Sequence, residues 1–159
     1  MRAPPGACLP GGQATPSDAR VRQLQGILPV RTRGRGFVEI TRDVNDWLAA
    51  GNAATGLLTV FVRHTSASLL VQENADPEVL RDLERWFARA VPDGDPLFRH
   101  VEEGPDDMSA HVRGALTLTS IAIPVHGGSM RLGTWQGLFL WEHRHAPHAR
   151  EVVLHYAGD

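Results

Sequence analysis

The sequence predicts an α+β fold: a mostly antiparallel, sandwich-like sheet with one long amphipathic helix. Three observations predict it. Short apolar runs with a two-residue period fill both ends of the chain, a single segment of strong helical period stands in the middle, and turns rich in Gly, Pro and Asp separate them. At 159 residues the chain has room for one domain with its own core, expected over residues 21–159.

Residues 1–20, rich in Pro and Gly, lack an apolar run of signal-peptide type and are expected to be a disordered tail. "VRQLQGILPV" (21–30) reads as the first strand, followed by the turn "RTRGRG", and "FVEIT" (37–41) as the second. Asp43 is placed to cap a short helix through "VNDWLAA" that stops at Gly51. "GLLTVFV" (56–62) and "SASLLVQE" (66–73) follow as strands; Leu58, Val60, Val62 and His64 share one face of the former. In "DPEVLRDLERWFARAV" Asp76 is the predicted cap and Pro77 suits the first turn. Val79, Leu80, Leu83, Trp86, Phe87 and Ala90 form one apolar stripe. After an acidic segment, "SAHVRG" allows a single helical turn. "LTLTSIAIPV", "RLGTWQGLFLWEH" and "REVVLHYAG" close the chain as strands.

Composition removes several functions. A net charge of −2 gives no electrostatic case for nucleic acid or an anionic membrane surface, and no apolar run approaches the ~20 residues that span a bilayer. A cytoplasmic location is expected. All 16 basic residues are arginine, so Schiff-base chemistry and a P-loop lysine are excluded. The single cysteine, Cys8, lies in the tail, which leaves no disulfide framework and no cysteine-based zinc site.

What remains for chemistry is histidine, carboxylate, arginine and hydroxyl. "HVEEGPDDMSAHVRG" (100–114) sets His100 and His111 around Glu102, Glu103, Asp106 and Asp107, at a spacing that is neither the helical "HExxH" nor a finger. Three imidazoles meet only if the fold brings His64 to this segment; with water in the fourth position that would be a catalytic zinc arrangement. In "LGTWQGLFLWEHRH" one face carries Thr134, Gln136, Leu138, Leu140 and Glu142 and the other Trp135, Phe139, Trp141 and His143. This predicts a strand covered on both sides by a second sheet and a neighbouring subunit, with Glu142 needing a cation: an arginine, a histidine or a metal. Ser66 in "RHTSAS" lacks the "GxSxG" elbow of a serine hydrolase. His145 and His148 read as an exposed loop.

Taken together, "HTSASL" (64–69), "ENADPEVLRDLERWF" (73–87), "VPDGD" (91–95), "EGPDDMSAH" (103–111) and "IPVHGGSMRLGTWQGLFLWEHR" (123–144) resemble, in order and spacing, the YjbQ-type family, also called the secondary thiamine-phosphate synthase family. The likeness spans about residues 21–158; Ser109, Thr119 and Pro147–His148 depart from its pattern in turns without removing a candidate ligand. The resemblance implies a YjbQ-like homotrimer with a polar pocket at or near the subunit contacts and a divalent metal, zinc or magnesium, held by His64, His100 and His111. It implies a weak thiamine-phosphate synthase activity, joining a hydroxymethylpyrimidine diphosphate to a thiazole phosphate. Within that reading Asp106 and Asp107 orient the imidazoles or a bound water and Glu142 supports the pocket, whereas in a metal-dependent hydrolase Asp107 or Glu142 would be the general base. Arg144 and Arg113 neutralise a leaving diphosphate, and Gln136, Asn74, Thr134 and Ser66 line the substrate pocket. Two alternatives stay open: a metal-dependent hydrolase of a small phosphorylated metabolite, and a non-enzymatic trimeric metal- or metabolite-binding protein.

Overall fold

The structure, a computed structural model, describes residues 21–159. The expected tail over 1–20, with Cys8, lies outside the described residues.

Among the described residues eight strands and three helices follow in the order β1 (Arg22–Arg31), β2 (Gly36–Glu39), α1 (Thr41–Ala50), β3 (Thr55–Val62), β4 (Ala67–Glu73), α2 (Pro77–Ala90), α3 (Asp107–Leu116), β5 (Ser120–His126), β6 (Ser129–Met130), β7 (Gln136–Glu142) and β8 (Ala149–Gly158). They form two antiparallel sheets, β1-β8-β3-β5-β6 and β2-β7-β4. The α+β class with antiparallel sheets is therefore as the sequence predicts.

The layers follow from side-chain parity. Val152, Leu154 and Tyr156 of β8 and Leu58, Val60 and Val62 of β3 face inward, where they meet Leu69, Leu138 and Leu140 from the smaller sheet and Val44 and Leu48 of α1. The opposite face of the smaller sheet carries Phe37, Phe139 and Trp141. Here α2 covers it: the Phe87 ring stands edge-on to Trp141 with centroids 4.8 Å apart, and Trp141 Nε1 donates to Glu84. Residues Gly137–Glu142 of β7 are all buried. The double cover expected for this strand is thus supplied by the second sheet and by α2.

Several boundaries differ from the sequence reading. Asp43 does not cap α1; the helix starts at Thr41, with Asp43 in its first turn. Asp76 does cap α2, accepting from Glu78 N–H at 2.9 Å, but Trp86 leaves the apolar stripe and is 52 % exposed. "SAHVRG" belongs to a ten-residue helix, α3, not to one turn. Gly114 lies inside this helix, and its place is fixed by packing: a Cβ there would stand 2.9 Å from Thr65 O. β7 begins at Gln136, because residues 133–136 form a turn closed by Gln136 N–H to Gly133 O. Thr134 lies in that turn and not on the strand face assigned to it.

Candidate functional site

Asp107 and His111 lie one turn apart on α3, so both side chains emerge from the same helix face. The irregular segment before α3 returns His100 to that face. Asp107 Oδ2 lies 2.9 Å from His100 Nε2 and 3.5 Å from His111 Nε2, and the three donor atoms all fall within 4.8 Å of one another. Tetrahedral zinc with bonds of about 2.0–2.1 Å separates its ligand atoms by roughly 3.3 Å, which these two distances bracket. Asp107 is 4 % exposed at its side chain, and Oδ2 is buried without a hydrogen bond. A buried carboxylate oxygen at ion-pair distance from two imidazole nitrogens, and without another donor, is a costly arrangement unless positive charge completes it. The donor set therefore fits a divalent ion.

The other oxygen of Asp107 is taken by Arg144, whose NH1 pairs with Oδ1. Arg144 also donates from Nε to Asp106 Oδ2 at 3.2 Å and from NH2 to Glu103 O at 2.7 Å. Burial works to raise the Asp106 pKa, but the His145 N–H and the Arg144 guanidinium outweigh it and hold the carboxyl below its ordinary value. Beneath Arg144 sits Glu142, fully buried. It accepts from Arg144 N–H at 3.0 Å, Arg150 Nε at 2.7 Å and Thr32 Oγ1 at 3.0 Å. Burial opposes its ionisation, and these bonds with the Arg150 charge reverse that, so Glu142 is an anchored carboxylate. Its required cation is Arg150, which sequence reasoning did not single out. Parity on β8 carries the signal, since Arg150 falls in the same row as Val152, Leu154 and Tyr156.

His64 stands outside the three-residue cluster. It lines an adjoining cleft of about 580 Å³ with His111, Phe61, Val62, Gly114 and Ala115. Its Nε2 accepts from Glu151 N–H at 2.9 Å, so the ring proton sits on Nδ1. Burial, aided by Arg150, lowers its pKa, leaving His64 neutral and a donor.

The remaining candidates are dispersed. Ser66 Oγ accepts from Arg150 NH2 at 3.0 Å and belongs to the support of Glu142. Arg113 is fully buried, donating to Val91 O at 3.2 Å, and has no surface to offer a substrate. Gln136 Oε1 accepts from Gly133 N–H, and Asn74 Nδ2 donates to Glu39 Oε1 at 3.2 Å. Gln136, Asn74 and Thr134 sit at the start of β7, and Glu142 ends it. Six residues of strand, roughly 20 Å, keep them from the histidine cluster within one chain. Of the loop histidines, His145 pairs with Asp93 at 2.8 Å and His148 Nδ1 lies 2.8 Å from Ala146 O.

Among known proteins, the family described as UPF0047 protein YjbQ-like matches residues 27–159. A UPF0047 protein of Synechocystis sp. is 52 % identical over 143 residues, covering 90 % of this chain and 97 % of its own length. The UPF0047 protein YjbQ of Escherichia coli O157:H7 is 40 % identical over 136 residues, covering 85 % and 98 %. Among solved structures, a conserved hypothetical protein of Thermus thermophilus superposes with TM-score 0.74 at 40 % identity, covering 81 % of this chain and 97 % of the other. A hypothetical protein of Aeropyrum pernix gives 0.78 at 31 % identity, covering 86 % and 99 %.

Proposed function

The chain belongs to the UPF0047 protein YjbQ-like family, and from that premise we propose that it is a metal-dependent hydrolase of a small phosphorylated metabolite, with His100, Asp107 and His111 as ligands. The observation that carries the reading is the buried, unbonded Oδ2 of Asp107 beside two imidazole nitrogens. Two histidines and one carboxylate suit a zinc-type ion better than magnesium, which prefers oxygen ligands. Such an ion supplies a Lewis acid and lowers the pKa of water into the neutral range. His100 and His111 are partly exposed, which leaves coordination positions open toward solvent and the cleft.

The chain's own groups divide the remaining work. The apolar wall of the cleft, Phe61, Val62 and Ala115, receives the organic part of the substrate. His64, neutral with its proton on Nδ1, donates a hydrogen bond to a substrate oxygen as charge develops there. Arg144 and Glu142 hold Asp107 in place, which excludes Glu142 from service as general base.

Thiamine-phosphate synthesis is the second reading, supported by the family resemblance. It requires cations at a departing diphosphate, yet Arg113 is buried and Arg144 is committed to Asp106 and Asp107; slow turnover follows. Assembly completes the proposal. On the outer face of the larger sheet Ile27, Val153 and Phe61 lie in one register row. Leu57, Thr59, Ala122 and Pro124 extend this row on one side and the exposed Arg63–Glu151 ion pair borders it on the other, an uncovered apolar patch with a charged rim that suits burial between copies in a homotrimer.

The test is a screen of phosphate esters, lactones and the two thiamine-phosphate precursors, with chelator-stripped protein and with zinc, manganese or magnesium restored. Ester hydrolysis that returns with zinc and is absent from His111→Ala supports the reading. Hydrolysis insensitive to chelator, or zinc-restored protein that consumes none of these compounds, overturns it.

A further inference from the structure

The turn "RTRGRG" (31–36) carries three arginines that the proposed hydrolysis does not use. They behave differently. Thr32 is buried, its N–H donating to His148 O at 2.9 Å and its Oγ1 to Glu142 at 3.0 Å, which turns its neighbours Arg31 and Arg33 outward on the other side. Arg35 folds inward, donating from Nε to His143 O at 2.8 Å and clasping both oxygens of Asp93 at 2.8 and 2.9 Å. Its charge is matched. Among the described residues, Arg31 and Arg33 form no ion pair.

The turn itself is held tightly. Gly34 has φ +113°, and a Cβ there would stand 2.5 Å from His145 O, so only glycine lets this backbone lie on the 145–148 loop. Gly36, at φ +137°, has open space where its side chain would be. The result is a cavity of about 430 Å³ lined by the turn residues Arg31, Arg33, Gly34, Arg35 and Gly36 and by Phe37 and Val38 of β2, with no carboxylate in its wall. Elsewhere the arginines at cavities have acids beside them: Arg63 in the histidine cleft is paired with Glu151, and the groove along α2 carries Asp82 with its arginines.

We propose that the Arg31–Gly36 turn is an anion site that takes a phosphate or diphosphate group of a small molecule, with Arg31 and Arg33 as its charged ligands and Gly36, open where a side chain would stand, allowing close approach of the anion to the backbone. Guanidinium groups bind phosphate oxygens in pairs, and a turn fixed by its packing loses little freedom on binding. The chain's net charge of −2 and the confinement of the patch to one turn favour a single small dianion over a long polyanion. This site shares with the hydrolase reading only the phosphorylated ligand, and the two fail separately.

The experiment is a titration of the full chain, 15N-labelled, with inorganic phosphate and with pyrophosphate at constant ionic strength, following the amides of residues 31–36. Repeats use Arg33→Ala, the double variant Arg31→Ala/Arg33→Ala and His111→Ala. Saturable shifts centred on Gly34 and Gly36 are expected, with pyrophosphate tighter than phosphate. Affinity falls at least about tenfold in the double variant and stays unchanged in His111→Ala. Shifts that never saturate, or that persist equally in the double variant while its remaining spectrum matches the wild type, overturn the proposal. A short DNA duplex binding the same turn more tightly than pyrophosphate also overturns it, in favour of nucleic acid.

Discussion

Arg144 occupies one carboxylate oxygen of Asp107 and leaves the other, Oδ2, 2.9 Å from His100 Nε2 without a hydrogen bond. The guanidinium sets the carboxylate's orientation, and the imidazoles meet what it leaves free. Groups that orient metal ligands in this way typically change affinity about 10- to 100-fold when removed.

Arg144→Ala is therefore expected to act twice. Two carboxylates lose their cation in a largely buried setting, at a cost of about 3 kcal/mol, and zinc affinity falls roughly 10- to 100-fold. Arg144→Lys restores little of either, since one ammonium cannot reach Asp106, Asp107 and Glu103 O together. Urea melts and metal titrations check both effects; a variant that melts and binds zinc like the wild type would contradict this role.

His143 predicts an acid sensitivity that does not depend on metal. It is fully buried, its Nε2 2.9 Å from Ser68 Oγ, and burial reinforced by the Arg113 charge pushes its pKa down to about 3 from 6.5. The unfolded chain takes up a proton below 6.5 and the folded chain does not, so stability falls as pH drops from 6.5 toward 3. The clearest window is roughly pH 6.5 to 5.5, above the range where Asp93, Asp106 and Glu142 begin to protonate in the unfolded chain. Glu84, whose carboxyl pKa burial raises, acts with the opposite sign toward its lower end. His64, also lowered but more exposed, adds in the same direction. His143→Gln should flatten the stability-versus-pH curve in this window more than His64→Gln does, as read from denaturant midpoints. Parallel slopes for the wild type and His143→Gln would refute the assignment.

Gly114→Ala offers a sign test. Helix propensity alone favours alanine by about 1 kcal/mol, but the added Cβ would meet Thr65 O at 2.9 Å, where α3 closes on the β3–β4 loop. A net loss of about 1–3 kcal/mol is expected. A more stable variant would show that the approach is not tight.

Phe61→Asp places a charge in the apolar row Ile27–Val153–Phe61 on the outer face of the larger sheet, where Phe61 is 43 % exposed. Sedimentation should find the wild type as a trimer and the variant as a folded monomer. A wild type that remains monomeric at high concentration would remove the interface.

Much of the fold is legible in the sequence: period-two runs mark β3, β7 and β8, and the Asp76–Pro77 start marks α2. The length of α3 is not, because glycine inside a helix reads as a stop unless the facing loop is visible. In the site, the sequence marks His100 and His111 as a candidate pair beside the acidic residues, but not that Asp107, rather than His64, is the group the fold sets between them. Asp107 gains that place from α3 geometry and from Arg144, 37 residues further on. The tautomer of His64 is set by Glu151 N–H, 87 residues away, and the burial of Arg113 by Val91 O and the α2 side of the smaller sheet. Such relations arise from packing between distant segments, which local pattern does not encode.

The most direct measurement is cobalt or zinc binding to chelator-stripped protein, by calorimetry and by cobalt absorption, in the wild type, His100→Ala, Asp107→Asn and His111→Ala, with circular dichroism as the check on folding. One ion per chain in the wild type, with an absorption band typical of low-coordinate cobalt and binding abolished in each folded variant, is the predicted result. Equal binding by all four proteins, or none by the wild type at millimolar metal, would contradict the account.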